Sequence, residues 1–343
     1  MLAELTHEQL LPAGFTARPA TMADLETAVS LMNAASIAQV GKAEHNFDSV
    51  KMEWSQESFN LETNTLLVFS PEGSLAGYIE IWDILAVPVS PWVWGRVHPE
   101  YEGLGIGSYL LSWAEARARQ VFNRVPADAR VVFRCGSVST HEPAKQLLQN
   151  YGMMPVRYFW TMRTDLEEPL AVPMLPEGMM IKTFAEVDDL TAVVTANSEA
   201  FQDHWGYVAQ PVAEMVKRWQ EWLASDTKFD PSLWFLAMAG DEIAGMSLCR
   251  LEAHHDPAWG WVDDLAVRRP WRRQGVALAL LHHSFSALHA QGKETIGLGV
   301  DAASLTGATR LYEKAGMHVY REYQTFEKEL RSGKDLSTQT LEG

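Results

Sequence analysis

Val267-Arg-Arg-Pro-Trp-Arg272-Arg-Gln-Gly275-Val-Ala277-Leu-Ala-Leu-Leu281 is the stretch that decides the fold. It follows an apolar, strand-like run and opens a helix-like one. The same spacing occurs 170 residues earlier in Val97-His-Pro-Glu-Tyr-Glu102-Gly-Leu-Gly105-Ile-Gly107-Ser-Tyr-Leu-Leu111. A structural unit is therefore duplicated within the 343 residues, with the later copy in better condition.

A strand that ends in a tight basic-glycine turn and then starts a helix leaves several backbone N–H groups unpaired and pointing one way. With the positive end of the helix dipole they form an anion site. Small residues at 275 and 277 let phosphates approach the backbone. Arg272 and Arg273 place fixed positive charge beside a diphosphate. Taken alone, the pattern also fits a glycine-containing helix start with surface arginines.

Downstream runs Gly297-Leu-Gly-Val300-Asp-Ala-Ala-Ser304-Leu-Thr306-Gly-Ala308-Thr-Arg-Leu311-Tyr312-Glu-Lys-Ala-Gly316-Met317, which reads as strand, turn, short helix and glycine stop. With both blocks in order, the chain resembles the GNAT acetyltransferase superfamily. Its cofactor signature, [Q/R]-x-x-G-x-[G/A], is met by Arg272, Gly275 and Ala277. Its later Leu-Tyr-x-x-x-Gly-[Phe/Met] helix is met by Leu311, Tyr312, Gly316 and Met317. The resemblance covers nearly the whole chain. It implies an α/β protein of two tandem GNAT folds, each a mixed, mostly antiparallel, splayed central sheet flanked by helices. The arrangement, with the second domain catalytic, is similar to the mycothiol synthase type; this likeness carries no acceptor motif.

The first half keeps the order of elements but not the chemistry. Val131–Cys135 reads as a strand, and Ala144–Gly152 as the matching helix and stop. Aligned on the glycines, Leu148 stands where Tyr312 stands; aligned on the phosphate turn, Glu102 stands where Arg272 stands. A carboxylate facing a diphosphate and a missing phenol mark the first copy as degenerate.

Composition narrows the class. The hydrophobic fraction, 47%, suffices for two cores. The net charge of −16 is shared equally: residues 1–170 hold 12 basic and 20 acidic side chains, and the remainder 16 and 24. That argues against nucleic acid and suits a cationic acceptor, though it also fits an ordinary acidic protein. No apolar run approaches the ~18 residues of a membrane span. The N-terminus lacks the basic-then-apolar pattern of a signal peptide, so a cytoplasmic location is the default. Cys135 and Cys249 lie one in each half on apolar strands and read as small buried hydrophobes, with neither a disulfide framework nor a metal site. Monomer and homodimer are both compatible with the sequence.

The expected division is a degenerate domain over 1–166, a linker over 167–178, a catalytic domain over 179–331 and a flexible tail over 332–343. The linker has three prolines in twelve residues, the mark of a semi-rigid connector. Met153 to Asp165 is expected to close the first sheet, and Met317 to Leu330 the second. The tail is polar and expected to be mobile.

The resemblance assigns chemistry to an acyltransferase (EC 2.3.1.-) that uses acetyl-CoA as cosubstrate, without metal. Leu265, Ala266 and Val267 are expected to pair with the pantetheine arm. Arg272, Arg273, Gln274, Gly275, Val276 and Ala277 are expected to hold the phosphates. Ser304 stands where many members have an asparagine near the cofactor. Tyr312 is the expected acid for the departing thiolate; a phenol of pKa about 10 is able to donate to a thiolate of about 8.5. An amine of pKa about 10 arrives protonated and needs a base. Candidates are Asp263 and Asp264 on the cofactor strand, Glu252, His254 and His255 nearby, or a water relay. Strand alternation allows only one of Asp263 and Asp264 to face the cleft. Phe201-Gln-Asp203-His204-Trp205-Gly-Tyr207 joins two helices near the centre of the sheet. Phe201, Asp203, His204 and Trp205 suit a polar cation, though the loop also reads as one anchored by its own aromatics. The leading function is N-acetylation of a small-molecule primary amine by direct attack in a ternary complex. A protein N-acetyltransferase and a non-catalytic acyl-CoA sensor or scaffold are the alternatives.

Overall fold

The computed structural model describes residues 11–168, 171 and 173–340. Residues 169, 170 and 172 of the expected linker, and the last three residues of the tail, lie outside this set. The chain forms two compact units. The first comprises the described residues up to Val156 together with Tyr323–Leu336; the second comprises Arg157–Glu322 and the described residues from Ser337 on.

The first unit runs β1 (Thr16–Arg18), α1 (Leu25–Val40), α2 (Phe47–Trp54), α3 (Leu61–Asn64), β2 (Thr65–Phe69), β3 (Leu75–Trp82), β4 (Trp92–Val97), α4 (Ile106–Ala118), β5 (Val131–Val138) and α5 (Glu142–Asn150). Apolar residues at helical spacing explain α1: Leu25, Ala28, Leu31, Met32 and Ala35 are all buried. A Thr21–Asp24 capping box precedes it, and Gly41 at φ +80° ends it. Residues β1 to β4 pair antiparallel in order, and β4 runs parallel to β5 only at Trp92–Arg134 and Val93–Cys135. Beyond Val93 the two strands part.

β6 (Met154–Asp165) leads into the second unit: β7 (Met179–Thr183), α6 (Phe184–Val187), α7 (Leu190–Phe201), α8 (Val212–Ser225), β8 (Trp234–Ala239), β9 (Glu242–Arg250), β10 (Trp259–Val267), α9 (Val276–Ala290), β11 (Thr295–Asp301), α10 (Ala308–Lys314) and β12 (His318–Arg331). Residues β7 to β10 are antiparallel, and β10 is parallel to β11 from Trp259–Thr295 to Val262–Leu298. The duplication and the splay expected from the sequence are thus both present. One core lies under α9 and α10, with Leu280, Leu281, Phe285, Leu298 and Tyr312. The other lies under α7 and α8, with Val193, Ala196, Trp234, Met246 and Ala266. Cys135 and Cys249 are free thiols, each buried in its own sheet.

The closing strands depart from the expected division. Phe159–Asp165 of β6 pairs antiparallel with β11 and completes the second sheet, burying Met162 in its core. Tyr323–Arg331 of β12 pairs antiparallel with β5 and completes the first. Boundaries at 166 and 179 therefore do not enclose independent sheets. The physical reason is that alternation fixes which face a strand buries but not which edge it pairs with. Duplicated folds present equivalent edges, so exchange of the last strand is cheap.

The polar tail is ordered over its described residues. Lys334 exchanges backbone hydrogen bonds with Asp128 and Arg130 (2.7 and 2.8 Å). Gly206 N–H donates to the Thr338 carbonyl (2.7 Å), Thr338 N–H to Tyr207 (2.9 Å), and Thr338 Oγ1 to the Gln202 carbonyl (2.9 Å). Main-chain groups bond regardless of side-chain polarity, so composition misreads this segment.

Candidate active site

The turn after β10 builds the anion cradle. Arg268 N–H bonds the Ala244 carbonyl (2.9 Å), a short 3₁₀ turn spans Arg269–Trp271, and Gly275 at φ +88° opens α9. The helical ladder begins at Ala279 N–H to Gly275 O (3.1 Å), so the N–H groups of Val276, Ala277 and Leu278 precede it and face outward. Arg273 takes φ +62°, a left-handed conformation that costs a non-glycine residue energy; its counterpart in the first unit is Gly103 at φ +77°. A Cβ at Gly275 or Gly299 would meet nothing within 4 Å, so there is open space beside the turn and off the face of β11 at Gly299.

The side chain of Arg272 has another task. Its guanidinium donates to the Val267 carbonyl (2.9 Å), the Ala200 carbonyl (2.9 Å) and the Asp203 carboxylate. Arg269 adds a second fork to Asp203, Nε–Oδ2 being 3.0 Å. The Arg269 hydrogen bonds first, then those of Arg272, hold the Asp203 carboxyl down at about 2. Both sequence-based roles change accordingly. Asp203 is buried and already neutralised by two arginines, so it is no open counter-ion for an amine. Arg272 braces the turn through its side chain, which leaves the backbone N–H groups ahead of α9 as the donors of the turn. Arg273 and Gln274 are exposed at the turn, with Gln274 Nε2 bonded to the Pro270 carbonyl (3.0 Å).

Loop 201–207 is anchored by its own aromatics. The Phe201 and His204 rings lie 4.3 Å apart, Trp205 Nε1 donates to Gln339 (2.9 Å), and Tyr207 shares a hydrogen bond with Ser198 of α7 (2.8 Å). Burial, then the charge of Arg272, lowers the His204 pKa. Ser304 sits in the turn before α10, where its Oγ meets Thr306 Oγ1 (3.1 Å) and accepts from Ala308 N–H (3.4 Å). It works as a local cap for that helix.

The carboxylates sort themselves by partner. Glu252 is ion-paired to Lys228 (2.7 Å). His254 meets Arg250 Nη1 (2.7 Å), and burial followed by the Arg250 charge drives its pKa to about 4. His255 packs edge-on against Trp259 and Trp261. Asp263 is ion-paired to Arg250 (2.8 Å), whose guanidinium lies over Trp222 of α8. Asp264 accepts a hydrogen bond from Asn197 Nδ2 on α7 (3.1 Å).

Both Asp263 and Asp264 therefore address the α7–α8 face, contrary to simple alternation. The β9–β10 register shifts between Val262 and Asp264, a bulge that gives Asp263 no partner of its own and turns two successive side chains to one side. Leu265 and Val267 return to the α9 face, and Ala266 to the α7 face. The bulge falls where β10 leaves β11. Burial first, then the neighbouring Asp263 charge, raise the Asp264 carboxyl to about 7, against the opposing hydrogen bond from Asn197. Tyr312 on α10 is buried (7% exposed), and its phenol is pushed upward by burial and by Asp264. A carboxyl titrating near neutrality and a phenol that stays protonated thus stand within each other's field at the splay.

A family model described as the Acetyltransferase (GNAT) family matches residues 34–136 and 192–317. The chain belongs to this family. It is an acyltransferase, and the GNAT family uses acetyl-CoA. Mycothiol acetyltransferase of Thermobispora bispora is 30% identical over 224 residues, 64% of this chain and 70% of the relative. That of Streptomyces scabiei is 30% identical over 261 residues, 74% and 76% of the two chains. A GCN5-related N-acetyltransferase from Sphaerobacter thermophilus, solved by crystallography, is 34% identical, with TM-score 0.79 over 96% of this chain and 100% of that one. A tandem GNAT protein from the clavulanic acid biosynthesis pathway, 14% identical with TM-score 0.70, shares the fold. Among the described residues no helix is long and apolar enough to cross a membrane, and no group of three or more His, Cys, Asp or Glu is placed to hold a metal.

The second unit fits the family's cosubstrate on its own geometry. It offers N–H donors ahead of α9, a cradle open at Gly275, and a β10 edge unpaired with β11 from Asp263 on. Sequence reading missed Asn197, Arg250, Ser198 and the docked tail. Only the anchoring of Asp263 had a local signal, the acidic pair itself.

Proposed function

We propose that the second unit transfers the acetyl group of acetyl-CoA to a primary amine of a small molecule, with Asp264 as base and Tyr312 as acid. The observation that carries this reading is Asp264: a carboxyl at the splay with a pKa of about 7, fixed by Asn197, whose charge acts on the tyrosine. A general base works best when its pKa lies near the operating pH. Acetyl-CoA, when bound, supplies an acyl group activated as a thioester. The N–H groups of Val276, Ala277 and Leu278 hold its diphosphate against the helix dipole, and the β10 edge at Leu265–Val267 orients the amide-rich arm. Asp264 accepts the ammonium proton and delivers a neutral amine. Tyr312 donates its proton to the leaving sulfur.

Three observations favour a small acceptor. The loop over the α7 side is tied down by Asp203, by Tyr207 and by the tail at Thr338. Asp264 is bonded there to an amide and to no arginine, which leaves a carboxyl able to meet one ammonium group. The relatives at 30% identity are named for the acetylation of mycothiol, a small molecule. The first unit keeps the glycine turn (Gly103, Gly105) but sets Glu102 beside it and Leu148 in place of the phenol, so it serves as the non-catalytic half.

The test is thiol release from acetyl-CoA with a panel of small amines and lysine peptides, on the wild type and Tyr312→Phe. Amine-dependent release, slowed about 10–10²-fold in the variant, is expected. Cofactor binding without turnover of any amine, or full activity in Tyr312→Phe, overturns the reading.

A further inference from the structure

The first unit contains a buried polar cluster that its structural role does not use. On the β3–β4 surface facing α1 and α2, the cross-strand pairs Tyr78–Arg96 and Glu80–Trp94 place four side chains together. Glu80, 6% exposed, accepts from the Tyr78 hydroxyl and from Trp82 Nε1 (2.8 Å), and Tyr78 in turn accepts from Trp54 Nε1 (3.1 Å). This carboxylate is satisfied by neutral donors rather than by Arg96.

Arg96 is the unanswered member. Its guanidinium lies 4.1 Å over the Trp94 ring, and Nη1 donates to the adjacent Gly95 carbonyl (2.8 Å). Its Nε is buried without an acceptor. Arginine keeps its charge at all accessible pH, and a buried unsatisfied donor is costly. The His45 ring packs edge-on against Trp94 at 5.3 Å, its backbone pinned by Asn33 (2.9 Å). Burial and then Arg96 push its pKa to about 4, so at neutral pH it is a neutral imidazole with one N–H to give. Further buried atoms lie without partners where β5 has left β4: Ser139 Oγ and His141 Nδ1, the latter within the field of Arg96. Three orphaned polar atoms thus belong to the first unit, two of them on residues within each other's field.

Comparison of the two units gives the sign of the ligand. At the shared offset of 170, Trp94 and Arg96 stand where the second unit has Asp264 and Ala266. The same place in the fold is acidic in one copy and basic in the other. Glu44 and Glu80 lie in the field of Arg96, so its single charge suits a monoanion better than a phosphate dianion. The flat apolar surface beside Arg96 is the Trp94 ring, 4.1 Å from its guanidinium.

We propose that the first unit binds a monocarboxylate with a flat apolar body, its carboxylate on the Nε edge of Arg96 and within reach of His45. The site is distinct from the diphosphate cradle and does not depend on the chemistry of the second unit. An arginine fork meets a carboxylate bidentately, which answers the orphaned donor.

The experiment uses the full chain. Benzoate, indole-3-acetate and phenylpyruvate are titrated calorimetrically and by thermal shift against wild type, Arg96→Met and Arg96→Lys, with inorganic phosphate and acetyl-CoA as comparators. The expected result is one-to-one binding of at least one carboxylate, weakened by at least about 30-fold in Arg96→Met and partly kept in Arg96→Lys. The acetyl-CoA isotherm stays unchanged, and unliganded Arg96→Met unfolds no earlier than the wild type, because a buried unsatisfied donor has gone. Three results overturn the proposal: no carboxylate binds the wild type, binding is equal in Arg96→Met, or phosphate competes as well as the carboxylates. Early unfolding of Arg96→Met without a carboxylate effect on the wild type makes Arg96 a folding residue only.

Discussion

Replacing Asp264 by Asn separates catalysis and stability in one variant. The carboxyl moves from an ordinary 3.8 to about 7 on folding. At 1.36 kcal/mol per pKa unit, this means the ionised form is disfavoured in the native state by about 4 kcal/mol, an upper bound before relaxation and solvent access. The folded pKa is the higher one, so the native state binds the proton more tightly. The penalty is absent below about pH 4, grows as pH rises and is complete above pH 7. Asparagine cannot ionise. Asp264→Asn is therefore expected to be more stable than the wild type at pH 8, by up to about 4 kcal/mol, and equal to it near pH 4. Activity runs the other way. Wild-type kcat/KM rises about tenfold between pH 6 and pH 8 as the base ionises, and the variant loses about 10²–10⁴-fold together with that rise. Urea unfolding at pH 4.5 and 8 and amine-dependent thiol release across pH 5.5–9 measure both. A variant with the wild-type pH profile, and no relative gain in stability between pH 4.5 and 8, refutes the assignment of Asp264.

Asn197→Ala removes the hydrogen bond that opposes the upward shift of Asp264; the midpoint of the pH–rate profile moves to higher pH while the KM for acetyl-CoA stays the same, and an unmoved midpoint counts against a positioning role. Asp203→Asn frees Arg269 and Arg272 and loosens the turn they brace, raising the acetyl-CoA KM about tenfold. Because its folded pKa lies below the ordinary value, wild-type Asp203 also stabilises at neutral pH, an effect lost as pH falls from about 4 to 2 and absent from the variant; calorimetric titration and acid unfolding check the two parts. Thr338→Pro deletes the N–H that bonds Tyr207. It is expected to speed proteolysis near residues 202–207 and raise the KM for the amine more than that for acetyl-CoA, and equal rises in both would refute a local effect on the acceptor loop.

Much of the fold is legible in the chain because its signals are local. The glycine at 275 needs a left-handed backbone, the apolar run after it needs a helix, and the repeat at the same spacing needs a second unit. Tyr312 is likewise a local reading, since its position in the helix before Gly316 decides where it sits. Asp203 and Arg272 misled for the opposite reason. Each has the right chemistry for a ligand, yet they are 69 residues apart and answer each other across the loop. The acidic pair was visible, but the bulge that turns both members to one face depends on β9 as well as β10, and no alternation rule in one strand contains it.

The sequence by itself determined the duplicated unit, its glycine turn, and the Glu102 and Leu148 that stand in the first copy where the second has Arg272 and Tyr312. All three follow from backbone requirements and residue types within about twenty positions of one another. Only the tertiary structure decided which last strand completes which sheet, which member of the acidic pair is left without an arginine partner, and that the Nε of Arg96 is buried without an acceptor. Those outcomes depend on pairing edges, burial and the summed field of residues far apart in the chain, and such long-range terms have no signature in local spacing.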